Sequence, residues 1–171
     1  MKKMFIGVSL LIGISFVFYG FVMAQGKAEK PKKASPPVEA SGTALWDHLK
    51  KVDYTKWKMW PGKKAFYEGK EPHGALLTTY VNGLARKAIE GKKGTMPTRA
   101  VIAMENYSPD KKLMAITVMY KFKGYNSDAG DWFWAKYSPD GKIEAEGKVE
   151  KCIKCHGENK AKDYTMKGPL K

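Results

Sequence analysis

Cys152-Ile153-Lys154-Cys155-His156 is the run whose residue types and spacing define a chemistry most sharply. Two thiols three positions apart can add to the two vinyl groups of a haem. The adjacent imidazole then falls beneath the iron as its proximal ligand. These are the only cysteines in 171 residues, so a disulfide-rich scaffold is excluded. A thioredoxin-like dithiol would open a βαβ unit, whereas this motif lies near the C-terminus. The run therefore predicts one covalently attached haem c, with Cys152 and Cys155 as attachment points and His156 as the metal ligand.

Fifteen residues follow His156, and Met166 is the one methionine among them. Small electron-carrier cytochromes place the motif early and a Met ligand far downstream, and helical bundles need four long amphipathic helices ahead of it. Neither plan fits strand-like periodicity over 100–138. His48 sits among helix charges and is expected on a solvated surface. His73, beside Pro72 and ahead of a strand, suits either a pocket wall or a propionate contact. Met104, Met114 and Met119 occupy strand positions where core packing is the default. Glu105, Lys121 and Lys136 are expected to face water, with a proton relay as the alternative for Glu105.

The elements that must position these residues can be read in order. Leu45, Trp46, Leu49 and Val52 share one face of a helix over 43–52, with Thr43 as its N-cap. Strands follow at 74–81, 100–107, 113–122, 131–137 and 142–146, with a short helix over 83–90 capped by Asn82. Ser108-Pro109-Asp110-Lys111 and Pro139-Asp140-Gly141 supply tight turns, so adjacent strands pair antiparallel. From Lys148 the pattern becomes a short helix carrying the cysteines. This order predicts an α+β fold: an antiparallel sheet with flanking short helices and a C-terminal haem-attachment motif.

Ahead of the domain, Lys2 and Lys3 precede a charge-free run from Phe5 to Met23. Residues 1–24 thus read as a signal peptide, with a retained anchor as the competing reading. Residues 25–42, rich in Lys, Pro and Ala, read as a flexible linker, and 43–171 as the haem domain. Export places the domain in the periplasm or otherwise outside the cytoplasm. A net charge of +14 is common in nucleic-acid binders, but no recognition helix or aromatic-plus-basic module accompanies it. A basic surface outside the cytoplasm suits docking to an acidic redox partner protein.

Several local motifs occur together: Glu71-Pro72-His73-Gly74 leading into 77–82, Met96-Pro97 leading into 101–107, Met119-Tyr120-Lys121, Gly124-Tyr125, the run from Asp131 to Tyr137, and Asp163-Tyr164 behind the haem motif. In these the chain resembles the cytochrome P-460 family, with the β-sheet c-prime-beta cytochromes that share its fold, over most of 57–165. The resemblance implies a homodimer of antiparallel β-folds, each holding one solvent-approachable haem. It also implies hydroxylamine oxidation or the binding of small gases such as nitric oxide. Met104 stands where hydroxylamine-oxidising members carry a lysine bonded to the haem edge. A thioether cannot make that amine link, which argues against efficient hydroxylamine oxidation and leaves Met104 as an unlinked residue at the cofactor. The resulting expectation is an exported mono-haem c-type cytochrome with an open iron site for small nitrogen-oxide species. A six-coordinate electron-transfer cytochrome, closed by Met104 or His73, is the alternative.

Overall fold

Strands with apolar residues on both faces, such as Val101 to Met104 and Trp132 to Ala135, build one antiparallel sheet of seven strands. The computed structural model describes residues 39–166. The expected signal peptide at 1–24 and nearly all of the linker at 25–42 lie outside the described residues. In chain order the strands are β1 (Lys58–Met59), β2 (Tyr67–Glu68), β3 (Leu76–Val81), β4 (Val101–Tyr107), β5 (Leu113–Lys121), β6 (Trp132–Tyr137) and β7 (Ile143–Gly147). The α-helices among the described residues are α1 (Gly42–Val52), α2 (Gly83–Glu90) and α3 (Glu150–Gly157). The sheet runs β1-β3-β4-β5-β6-β7, and β2 also pairs with β3. The fold is α+β, as the order of elements implies.

Each strand sends alternate residues to opposite faces, and each face builds its own core. On one face Val101, Ala103, Ile116, Val118, Tyr120, Phe133, Ala135 and Tyr137 pack with Leu45 and Leu49 of α1. On the other, Val81, Ile102, Met119, Trp132 and Trp134 pack with Ala85, Ala88 and Ile89 of α2. Val149, Cys152 and Ile153 at α3 complete that second core. A one-residue slip of any central strand would exchange the two sets, so the register is firmly specified.

Local chemistry sets the helix ends. Asn82 caps α2 by accepting a hydrogen bond from the Ala85 N–H at 3.0 Å, as its position implies. At α1 the cap is Ser41 rather than Thr43: its hydroxyl accepts the Ala44 N–H at 3.3 Å, and the helix begins at Gly42. The Gly42 carbonyl accepts the Tyr137 phenol at 2.8 Å, which ties α1 to β6. Opposite it, Gly141 closes the β6–β7 hairpin at φ +89°, and a Cβ there would lie 2.2 Å from the Trp46 indole nitrogen. That turn admits only glycine. The short strands β1 and β2 were not expected, because two-residue strands carry no alternation to read.

Met114, Glu105 and His48 differ from expectation, the last two through tertiary contacts that local sequence does not announce. Met114 is 52% exposed and is not a core residue. Glu105 is buried, and its oxygens accept the Tyr54 and Tyr107 phenols at 3.0 and 2.6 Å. His48 is buried on the sheet-facing side of α1, near the Trp57 ring.

Burial holds the His48 imidazole below its ordinary value of 6.5, and the nearby Arg99 and Lys51 charges add to that effect. The unfolded chain therefore takes up this proton first as pH falls through 6.5. Its contribution to stability is full above that value and declines below it. The urea midpoint of the wild type should drop more between about pH 7.5 and about pH 5.5 than that of a His48→Gln variant. Equal drops would remove His48 as a source of the dependence.

Candidate haem site

Helix α3 places Val149, Cys152, Ile153 and His156 at the i, i+3, i+4, i+7 positions of one stripe. Val149, Cys152 and Ile153 lie against the sheet core, and Cys155 steps off the stripe toward its edge. Both thiols are half-buried and not bonded to each other. Burial pushes the Cys152 thiol up from its ordinary value, with Cys155 adding to the shift and Lys136 opposing it.

His156 is held from behind. Its Nδ1 lies 2.7 Å from the backbone carbonyl of Tyr164, which can only accept. The ring proton therefore sits on Nδ1, and Nε2 keeps a free lone pair, the form a metal ion requires. Burial keeps this imidazole below its ordinary value; the Tyr164 bond opposes that shift and the neighbouring His73 adds to it. Trp134 packs its ring 4.7 Å from the His156 ring.

The Tyr164 carbonyl is fixed by its neighbour. Asp163 accepts the Met96 N–H at 2.7 Å and pairs with Lys121 at 2.5 Å, while its own carbonyl accepts the Trp132 indole at 2.9 Å. Lys121 and Asp163 side chains are only 12% and 5% exposed. The expectation that Lys121 faces water is thus corrected: Asp163 gives it a partner inside the protein, and its ammonium also lies over the Trp132 ring. Lys136 does reach solvent, where it pairs with Glu144 at 2.8 Å.

His73 comes to the same place from the segment between β2 and β3. Its ring centroid lies 6.3 Å from that of His156, with the two planes at 89°. Gly74 makes this approach possible, since a Cβ there would stand 2.4 Å from the Tyr107 carbonyl oxygen. The His73 Nδ1 lies 3.0 Å from Asn106 Oδ1. The Asn106 amide nitrogen donates to the Met104 and Ala115 carbonyls and to Thr117, which fixes the amide with its oxygen toward the histidine. His73 therefore also carries its proton on Nδ1 and leaves Nε2 free. Burial lowers its pKa, Asn106 opposes the shift, and Lys136 adds to it.

Met104 lies on this face of β4, between Thr79 and Thr117 on the flanking strands. Its sulfur receives the Tyr67 phenol at 3.7 Å. Glu105, one residue on, faces the opposite core, so the sheet itself separates it from Met104 and His156. Of the residues the sequence singles out, the structure gathers Cys152, His156 and His73 and engages Met104 with Tyr67. Trp134, Asn106, Tyr164 and the Lys121–Asp163 pair complete the site; all lie within the motifs quoted from the sequence, but their contacts were not signalled there.

The donor set fits a haem. Among the described residues no group of three or more His, Cys, Asp or Glu is arranged to hold a bare metal ion. The free imidazole nitrogens instead suit an ion that brings most of its ligands with it. The buried indole nitrogen of Trp134, against His156, has no hydrogen-bond partner, as expected of a wall shaped to meet a bound polar group.

A single antiparallel sheet that braces a late helix with two thiols and a proton-oriented imidazole is the construction of a β-sheet cytochrome. The family model for cytochrome P460 matches residues 51–167, about two thirds of the chain, and the chain belongs to that family of haem c proteins. Comparison with curated proteins found no match.

Removing the Asp163 charge should expose how much the brace carries. Asp163→Asn leaves the Lys121 ammonium inside the protein without its counter-charge and should cost about 3–5 kcal/mol in urea unfolding. Glu144→Gln, at the exposed pair with Lys136, should cost about 0–1 kcal/mol. Similar losses in the two variants would refute the brace.

Proposed function

We propose that the protein is an exported mono-haem c-type cytochrome that binds or redox-processes small nitrogen-oxide species. Cys152 and Cys155 hold the haem through thioether bonds, and His156 supplies the proximal nitrogen. The observation that carries this reading is the Tyr164 carbonyl on His156 Nδ1, which leaves the Nε2 lone pair free on the residue that follows Cys155. When bound, the haem would supply an iron that can change oxidation state and take a small ligand. The chain's own residues orient that imidazole and keep it neutral, and the rings of His73 and Trp134 stand against it.

Electron exchange needs a surface at the cofactor. Lys148, Lys151, Lys154, Lys160 and Lys162 are exposed along and behind α3, against Glu150 and Glu158 in the same stretch. That rim suits docking of an acidic redox partner, with strong dependence on ionic strength. A second reading, a six-coordinate electron carrier, draws support from His73 standing close to His156. Met104 lies beside the cofactor without a bond to it, because a thioether cannot replace the linking amine of hydroxylamine-oxidising relatives.

The denatured protein should retain haem on a gel, and Cys152→Ala with Cys155→Ala should abolish that stain. Intact mass should equal the chain from Gln25 onward plus one haem, with no further loss of hydrogen. Carbon monoxide should shift the spectrum of the reduced protein. Haem lost on acid–acetone extraction would overturn covalent attachment, and a strongly red-shifted Soret band would overturn the unlinked Met104.

A further inference from the structure

We propose that the groove beside α2 is a docking site for an acidic redox protein, which seats one apolar side chain there between flanking carboxylates. The inference rests on the electron-exchanging reading above and gives it a contact surface apart from the α3 rim. Leu84, Lys87, Ala88, Lys93, Thr95 and Pro97 line the groove, which is about 410 Å³ in volume. Leu84 is 40% exposed, although Ala85, Ala88 and Ile89 of the same helix are buried. A leucine left in water beside ammonium groups has the character of a protein contact surface, an apolar centre with a charged rim.

Charge selects the occupant. Residues 83–99 carry Arg86, Lys87, Lys92, Lys93 and Arg99 against Glu90 alone, and Glu90 is engaged by Arg86 at 2.7 Å. Among the described residues, Lys87, Lys92 and Lys93 take part in no ion pair. Their counter-charge must come from outside the domain. A second copy of this chain, at net charge +14, would bring like charge to the same face, whereas an acidic partner would be drawn to it.

The backbone adds an independent sign. After α2 the Lys92 N–H donates to the Ile89 carbonyl and the Lys93 N–H to the Ala88 carbonyl, so the turn is tied to the helix. Lys92 stands in it at φ 47°, the left-handed position where glycine is favoured. A cation is kept there at a cost to the fold, which is the mark of a residue retained for contact and not for stability.

The groove is also joined to the candidate haem site. Met96 is buried between Thr95 and Pro97 of the lining, and its N–H donates to the Asp163 carboxylate at 2.7 Å. Asp163 precedes Tyr164, whose carbonyl accepts the His156 Nδ1 proton at 2.7 Å. A bonded path thus runs from the groove to the imidazole, which favours an electron-exchange partner over any other acidic protein.

The test uses the full-length holoprotein and a fluorescein-labelled peptide with two glutamates on each side of one leucine. Binding should weaken as salt rises, and a peptide with serine for leucine should bind about tenfold more weakly. Leu84→Ser should abolish that difference between peptides. Lys87→Glu with Lys93→Glu should weaken binding about tenfold, and Lys51→Glu with Lys142→Glu, the same change of charge near α1, far less. Lys92→Gly should weaken binding about threefold while its urea midpoint stays at or above that of wild type. Equal losses in the two double variants, a leucine preference that survives Leu84→Ser, or unchanged binding in Lys92→Gly overturns the proposal. Sedimentation tests the rival occupant: a dimer that Leu84→Ser splits into monomers places a second copy in the groove and overturns it too. The carbon monoxide shift of the reduced protein reads the other claim separately. Peptide binding lost with that shift intact removes the docking site alone, and a wild type without the shift removes the small-ligand reading alone.

Discussion

Asp163 and Tyr164 stand consecutively in the left-handed region, at φ 52° and 63°, and the carbonyl that orients His156 faces inward because of that reversal. Non-glycine residues adopt this conformation at a cost of roughly 1–2 kcal/mol each. The cost is offset by ties to four separate parts of the chain. Met96 donates from the segment before β4, Lys121 pairs from the end of β5, Trp132 donates from the start of β6, and the Tyr164 phenol donates to the Asp128 carbonyl. No single strand could hold the turn. The orientation of one imidazole is thus a property of the whole sheet, and residues far from the cofactor take part in it.

The sheet also keeps two kinds of polar chemistry apart. One core contains Glu105 with the phenols of Tyr54 and Tyr107, whose pKa values burial and the carboxylate both push up. The other contains the thiol, the two imidazoles and the Trp134 wall. Strand alternation places Met104 in the second compartment and Glu105 in the first, although they are adjacent in sequence. Only a sheet can give consecutive residues such different surroundings. An acid that looked available for proton transfer is therefore a structural acceptor that holds Tyr54, beside α1, and Tyr107 of β4.

The candidate chemistry of Cys152, Cys155 and His156 could be read from sequence because a haem-attachment motif is contiguous. The central strands were legible because their period is local, and Asn82 was legible as a cap because its partner lies three residues away. What could not be read depends on contacts across the chain. His73 meets Asn106 33 positions later, Asp163 meets Met96 67 positions earlier, and Lys121 meets Asp163 42 positions later. Lysine on a strand usually faces solvent, and only a partner delivered by the fold could reverse that default. Ser41 displaced Thr43 as the α1 cap for a smaller reason: both have suitable hydroxyls, and anchoring of the Gly42 carbonyl by Tyr137 decides between them.

The haem-binding residues sit on the element least able to fold alone. Helix α3 has eight residues and no side-chain hydrogen bond at its N-cap, well below the roughly 12–15 residues at which an isolated helix becomes even marginal. Its position comes from the Val149–Cys152–Ile153–His156 stripe on the sheet and from the brace behind it. The strands β4 to β7, by contrast, are joined by short local connections and can assemble before α3 docks. A group that bonds to Cys152, Cys155 and His156 binds the docked helix and not the frayed one, and so stabilises the arrangement that receives it. The sheet aligns the imidazole through the left-handed pair at Asp163 and Tyr164, and a group bound there would in turn hold the helix that carries it.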